Sequence, residues 1–207
     1  MAFVRSSGPE QTRGASEGAC HLYVLPCAFE DLLKLGFSRQ PLERMQALHS
    51  RFFEFFDLDR ALLVETETVR DARRLELELH HRLIDHSAPA PLTVRVQAAG
   101  HTEWYRGAYA RLAQEVAALG ERGHIVHAPL RGWLQAQLRG RVQALYGWGM
   151  RVLESVEGEP AYLDQLPALR ALRQQVLDVL DAHTAAGIEV AEHLPEALAR
   201  WYAGRLE

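Results

Sequence analysis

His21-Leu-Tyr-Val-Leu-Pro-Cys-Ala-Phe-Glu-Asp-Leu-Leu-Lys-Leu-Gly-Phe37 contains two short apolar runs, His21 to Leu25 and Leu32 to Phe37, the first closed by Pro26. Their length and flanking residues predict two strands, joined by a hairpin or a slightly longer loop. Pro41 then suits the first position of a helix, and Leu42, Met45 and Leu48 follow at helical spacing through Ser50. Arg51 to Arg60, with Phe52, Phe53, Phe55 and Phe56, reads as a loop or strand edge that covers the core, and Arg60-Ala-Leu-Leu-Val-Glu65 as a third strand.

A helix from Thr68 to about His86 comes next. Thr68 with Asp71 three residues on makes a capping-box-like start, and Val69, Ala72, Leu75, Leu79 and Leu83 form one apolar stripe. Ala88-Pro-Ala-Pro91 breaks the chain. Thr93-Val-Arg-Val96 reads as a weak strand, Glu103-Trp-Tyr-Arg106 as a short aromatic segment, and Gly107 to Gly120 as a helix. The order β-β-α-β-α plus a closing helix predicts a small α+β domain with a three-stranded, mainly antiparallel sheet flanked by helices. From Gly123 strand-like alternation stops, and helices are expected near Pro129 to Glu157, Tyr162 to Ala182 and Glu189 to Leu206. The expected organisation is a tail over 1–20, an α+β domain over 21–120 and an all-α domain over 121–207.

Composition bounds the function. The chain has 207 residues, 48% apolar and 24% charged, which excludes collagen, coiled coil and wholesale disorder. No apolar run approaches the roughly 20 residues of a membrane helix. The Ser/Gly-rich start lacks an apolar stretch and reads as a tail rather than a secretion signal. Cys20 and Cys27 fit neither a disulfide framework nor a zinc site, so a reduced, cytoplasmic compartment is expected. The net charge is −4, and acidic residues outnumber basic ones on both sides of Gly120. Contact with a phosphate polymer must therefore come from a local cluster rather than a global field. Among the 23 Lys and Arg residues, Lys34 is the only lysine.

In projection at ~100° per residue, Glu76 falls inside the apolar stripe of the Thr68 helix, with His80 one turn further at the same edge. A carboxylate aimed inward must be paired, hydrogen-bonded or bound to a metal. Two readings follow from the residues alone: a structural Glu–Arg or Glu–His pair, or a metal ligand.

Tyr23 on the first strand, Lys34-Leu-Gly36 on the second, and Ser38 and Arg44 at the first helix stand in order with Ala72-x-x-Leu75-Glu76-x-x-Leu79-His80 and Glu103-Trp-Tyr105. Together they resemble the GIY-YIG endonuclease superfamily, and most of all its phage-type branch, over roughly residues 21 to 110. The resemblance implies a divalent-metal-dependent endonuclease acting on DNA, and the residues leave the choice between DNA and RNA open. It implies that Tyr23 helps activate the attacking water and that Lys34 takes the place of the second-motif tyrosine. It gives Gly36 the task of close packing beside the site. Arg44 would stabilise charge on the phosphate, Glu76 would hold the single Mg²⁺ or Mn²⁺, and His80 would match the histidine common after it. The chain departs from the pattern at Leu22-Tyr23-Val24, which lacks the leading Gly, and at Thr102, where the branch has Gly.

The residue types suit phosphodiester hydrolysis, which needs an activated water, charge on the non-bridging oxygens and help for the leaving oxygen. Arg39 and Arg73 flank the site and could track a phosphate backbone, although a solvated charged face explains them equally. Trp104 reads as core, and Glu103 as either a support for the site or a helix cap. The competing function is a catalytically inactive module of the same fold that binds nucleic acid or protein. In either case the C-terminal helices would position substrate, self-associate or receive a protein partner.

Overall fold

The computed structural model describes residues 19–94 and 102–205. The N-terminal tail up to residue 18 lies outside the described residues, as does the second half of the weak strand expected at Thr93 to Val96; Thr93 and Val94 form a turn. The chain divides into two compact units between Leu130 and Arg131.

In the first unit β1 (Cys20–Pro26) and β2 (Leu32–Ser38) pair antiparallel, with Tyr23 opposite Gly36 and Leu25 opposite Lys34. Helix α1 (Pro41–Leu48) starts on Pro41 and buries Leu42, Met45 and Leu48. The phenylalanine segment is not a loop throughout: it makes a single helical turn, α2 (Phe52–Phe55), and Phe56 then bridges Cys27. A single turn is too short to show a helical period. β3 (Leu62–Thr66) pairs antiparallel with the other edge of β1.

Helix α3 (Val69–Arg82) begins where its cap predicts. Thr68 Oγ1 accepts from the Asp71 backbone N–H at 3.1 Å and donates to Asp71 Oδ2 at 2.6 Å. Such a cap is worth about 1 kcal/mol. Ala72, Leu75 and Leu79 are its buried residues, and a 3₁₀ turn at Ile84–His86 ends the segment.

Three short strands extend the sheet beyond the three expected: β4 (Ser87–Ala88), β5 (Trp104–Arg106) and β6 (Val126–His127). Among the described residues the sheet is six-stranded and antiparallel, in the order β4-β5-β2-β1-β3-β6. The expected three-stranded core is its centre, while strands of two or three residues carry no period that a sequence reading can detect. Because β6 pairs with β3 and follows α4 (Tyr109–Glu121), the sheet unit continues past Gly120.

One sheet face supplies Leu22, Val24, Leu33, Leu35, Val64 and Tyr105 to a core shared with Leu75 and Leu79 of α3 and Leu112, Val116 and Leu119 of α4. Alternation sends Tyr23, Leu25, Lys34, Gly36 and Trp104 to the opposite face. That face is also buried: Leu25 is 0% and Trp104 1% exposed, so Trp104 is core, as expected.

The second unit is helical: the rest of α5 (Leu130–Arg141), then α6 (Gln143–Ser155), α7 (Tyr162–Gln165), α8 (Arg170–Ala185) and α9 (Glu196–Ala203). The three long helices expected here are each divided. Pro167 and Pro195 account for two of the divisions, since a proline turns the preceding residue away from helical geometry. Leu145, Val152, Val176, Leu180, Leu198 and Tyr202 lie in its core.

Candidate functional site

β5 pairs with β2 only over Leu32 to Lys34, and the polar residues gather beside this last paired position. Lys34 is 1% exposed. Its ammonium donates to Leu35 O at 2.8 Å, Thr102 O at 2.9 Å and Glu103 Oε2 at 3.0 Å, so its three protons all have acceptors. Burial pulls the Lys34 pKa down, and Glu103 opposes that pull. Burial would raise Glu103, but the Thr102 hydroxyl and the Lys34 ammonium outweigh it and hold the carboxyl below its ordinary value. Glu103 adopts a left-handed backbone, φ 55°, at the entrance to β5.

Tyr23 lies across Gly36: a Cβ at Gly36 would stand 2.5 Å from Tyr23 Oη. Of the two motif residues, the glycine therefore makes room for a side chain rather than for a neighbouring strand. Arg44 Nε, on α1, donates to Tyr23 Oη at 3.3 Å. Tyr23 is 2% exposed, and burial raises its pKa despite the opposing Arg44 charge. Its phenol is thus kept protonated, with its oxygen accepting from Arg44. Arg44 itself is half-buried. The cation acting on Tyr23 is Arg44, while the Lys34 ammonium is bonded to Glu103. Through its bonds to Thr102 and Glu103, Lys34 ties β2 to the chain entering β5.

Glu76, on α3, is half-buried and, among the described residues, makes no hydrogen bond or ion pair. Burial and then the neighbouring Glu103 charge push its pKa up to about 7, while Lys34 and Arg73 pull the other way. Of the two readings left open by the residues, the structural pair with Arg or His is not the one found. The bridging acid is Glu103, which sequence reasoning considered only as a support or a cap.

His80, one turn beyond Glu76, places Nδ1 2.6 Å from the Tyr105 hydroxyl. Tyr105, on β5, stands in the motif Glu103-Trp-Tyr105 with no role of its own assigned from sequence; the signal for one would have been the aromatic pair read as alternating sheet faces. Arg73 is exposed on α3 with its charge reaching Glu76. Arg39 is exposed just after β2, and its charge and that of Glu76 both reach the Cys20 thiol. Tyr23, Lys34, Arg44 and Glu76 thus belong to one electrostatically coupled group, with Glu103 as the charge common to Tyr23, Lys34 and Glu76. Cavities of about 570 Å³, around Glu65 and Arg122, and about 270 Å³, around Cys27 and Tyr109, open elsewhere on this unit.

Among the described residues no group of three or more His, Cys, Asp or Glu side chains could hold a metal ion. Among the described residues of this group, Glu76 is the carboxyl without a hydrogen bond or ion pair. That suits Mg²⁺ or Mn²⁺, which keep most of their waters and take one or two protein oxygens together with substrate phosphate.

Residues 21–120 match the T5orf172 domain family, a phage-associated domain related to nuclease-like folds. No curated protein and no solved structure matches the chain. Among the described residues no helix is long and apolar enough to cross a membrane.

Proposed function

We propose that the chain is a divalent-metal-dependent endonuclease of GIY-YIG type that hydrolyses phosphodiester bonds of DNA. The observation that carries this reading is Glu76. Among the described residues it is a half-buried carboxyl without a hydrogen bond or ion pair, beside the negative charge of Glu103, and a bound cation would favour its ionised form. The T5orf172 match over residues 21–120 supports it, since that domain is commonly found in endonucleases.

A bound Mg²⁺ or Mn²⁺ would supply positive charge to the non-bridging phosphate oxygens and lower the pKa of a coordinated water. Glu76 would hold it. The chain's own groups do the remaining work. Arg44 presents a planar fork to the phosphate, its Nε fixed on the Tyr23 hydroxyl. Tyr23 is a positioning residue: seated over Gly36, it fixes the guanidinium and keeps its own proton. Lys34 and Glu103 neutralise one another and hold β2 to the segment that brings Tyr105 and His80 together. His80 would donate to a phosphate or leaving oxygen, and Arg39 and Arg73 would meet the flanking backbone. The C-terminal helices would position the substrate or receive a partner subunit.

Supercoiled plasmid incubated with the chain and Mg²⁺ or Mn²⁺ tests the reading. Nicking should appear, and Glu76→Gln should reduce it by about 10²-fold or more, the scale on which electrostatic groups act in such transition states. Equal nicking by wild type and variant would overturn it. Binding of DNA with no cleavage under either metal would favour the non-catalytic module.

A further inference from the structure

The His80–Tyr105 contact has a chemical polarity. We infer that Tyr105 is a positioning residue that fixes His80 as a neutral imidazole with its proton on Nε2, so that His80 serves the site as a hydrogen-bond donor and not as a base. The inference rests on the nuclease reading for the target of that donor, but its geometric half stands alone.

Tyr105 is 0% exposed, and its hydroxyl lies 2.6 Å from His80 Nδ1. Among the described residues that nitrogen is the hydroxyl's one hydrogen-bonding partner. Burial, with Glu103 and Glu76 nearby, pushes the phenol up to about 12, so the oxygen carries its proton throughout the neutral range. Two arrangements are then open. In one, the hydroxyl donates to an unprotonated Nδ1 and every group is satisfied. In the other, an Nδ1–H donates to the oxygen, and the phenolic proton is buried without an acceptor. The second leaves a polar hydrogen unpaired in the core and is disfavoured. An imidazole whose Nδ1 accepts carries its proton on Nε2. The ring of His80 is half-buried. A base at Nε2 is excluded by the same proton.

The partner is rigidly mounted. Tyr105 opposes Leu33 on β2 and Ser87 on β4, within the core that α3 packs against. The ring of His80 is thereby tied to the sheet across one turn of α3 from Glu76. The charges facing it are Glu103 at the start of β5 and, on its own helix, the neighbouring His81 ring.

Imidazole nitrogen spectra of the full chain, recorded across a pH titration, test this. In the wild type above its titration midpoint, His80 should show an unprotonated Nδ1 and a protonated Nε2. In Tyr105→Phe the midpoint of His80 should rise, because a donor to the neutral ring has been removed while Glu103 and His81 remain in both proteins. A fall would mean that the ring had been donating to the oxygen; that result, or a midpoint that does not move, overturns the inference. A protonated Nδ1 in the wild type overturns it as well, without need of the variant. On plasmid DNA, Tyr105→Phe should lower kcat about tenfold with KM nearly unchanged, as expected for a group that acts through another. A chain that shows the raised midpoint but cuts no DNA would sink the nuclease reading and leave the polarity of the bond intact.

Discussion

The Tyr23 ring occupies the space above Gly36 that any side chain there would need, with Oη, Cζ and Cε2 all within 2.9 Å of an added Cβ. Gly36→Ala must therefore displace a ring that is 2% exposed and tied to Arg44. We expect a loss of about 1–3 kcal/mol in chemical denaturation, the usual cost of overfilling a packed site. Cleavage should fall further than stability explains, because the guanidinium loses its anchor. A Gly36→Ala protein with an unchanged denaturation midpoint would show that the ring can move aside freely.

The Lys34–Glu103 pair is asymmetric, with the ammonium 2% and the carboxylate 34% exposed on their side chains. Removing the two partners should not be equivalent. Glu103→Gln leaves a buried ammonium without a counter-charge, whereas Lys34→Met leaves an acid that can turn to water. We expect Glu103→Gln to cost about 2–4 kcal/mol and Lys34→Met about 0–2 kcal/mol. Denaturation of both variants checks the order, and a larger loss for Lys34→Met would mean that its backbone acceptors, Leu35 and Thr102, matter more than the charge.

Neither Lys34–Glu103 nor His80–Tyr105 was visible in sequence, and the reason is common to both. Each depends on β5 pairing with β2 and presenting alternate residues to opposite faces, and β5 has three residues. Glu76 was legible because it interrupts a stripe on a capped helix of 14 residues, where the period is well sampled. The central strands β1 to β3 were legible for the same reason, with apolar runs long enough to read. Pro167 and Pro195 were plain in the sequence and should have divided the C-terminal helices, since proline acts on the residue before it.

Glu76 links function to stability through pH. Its pKa in the folded chain, about 7, lies above the ordinary carboxyl value of 4.5, so the folded state holds a proton that the unfolded state has released. The contribution is complete below the ordinary value and is lost as pH rises through about 7. Glu76→Gln cannot lose it. At pH 8 the variant should be more stable than wild type by roughly 1–3 kcal/mol, with the gap closing toward pH 4. Mg²⁺ should raise the melting temperature of wild type at pH 8 and leave Glu76→Gln unmoved. A variant less stable than wild type at pH 8 would mean that the carboxylate has a protein partner after all.

In the helical unit, His183 is 6% exposed and bonds Val179 O through Nδ1 at 2.8 Å, while its buried Nε2 has no partner among the described residues. Burial lowers its pKa, the Arg141 and His193 charges push the same way, and the Val179 bond opposes them. Here the sign is reversed. The unfolded chain takes up the proton first, so stability is full above the ordinary histidine value of 6.5 and falls as pH drops below it. Protonation would place a charge on a helix whose other buried residues are Val176, Leu180 and Ala182. Between pH 7 and pH 5 this group should remove stability. His183→Leu keeps comparable bulk and cannot titrate, so its melting temperature should fall less over that interval than that of wild type. Because Glu76 favours the folded state over the same interval, the comparison is made in a Glu76→Gln background, with and without His183→Leu. Parallel curves for the two proteins would place the acid sensitivity elsewhere.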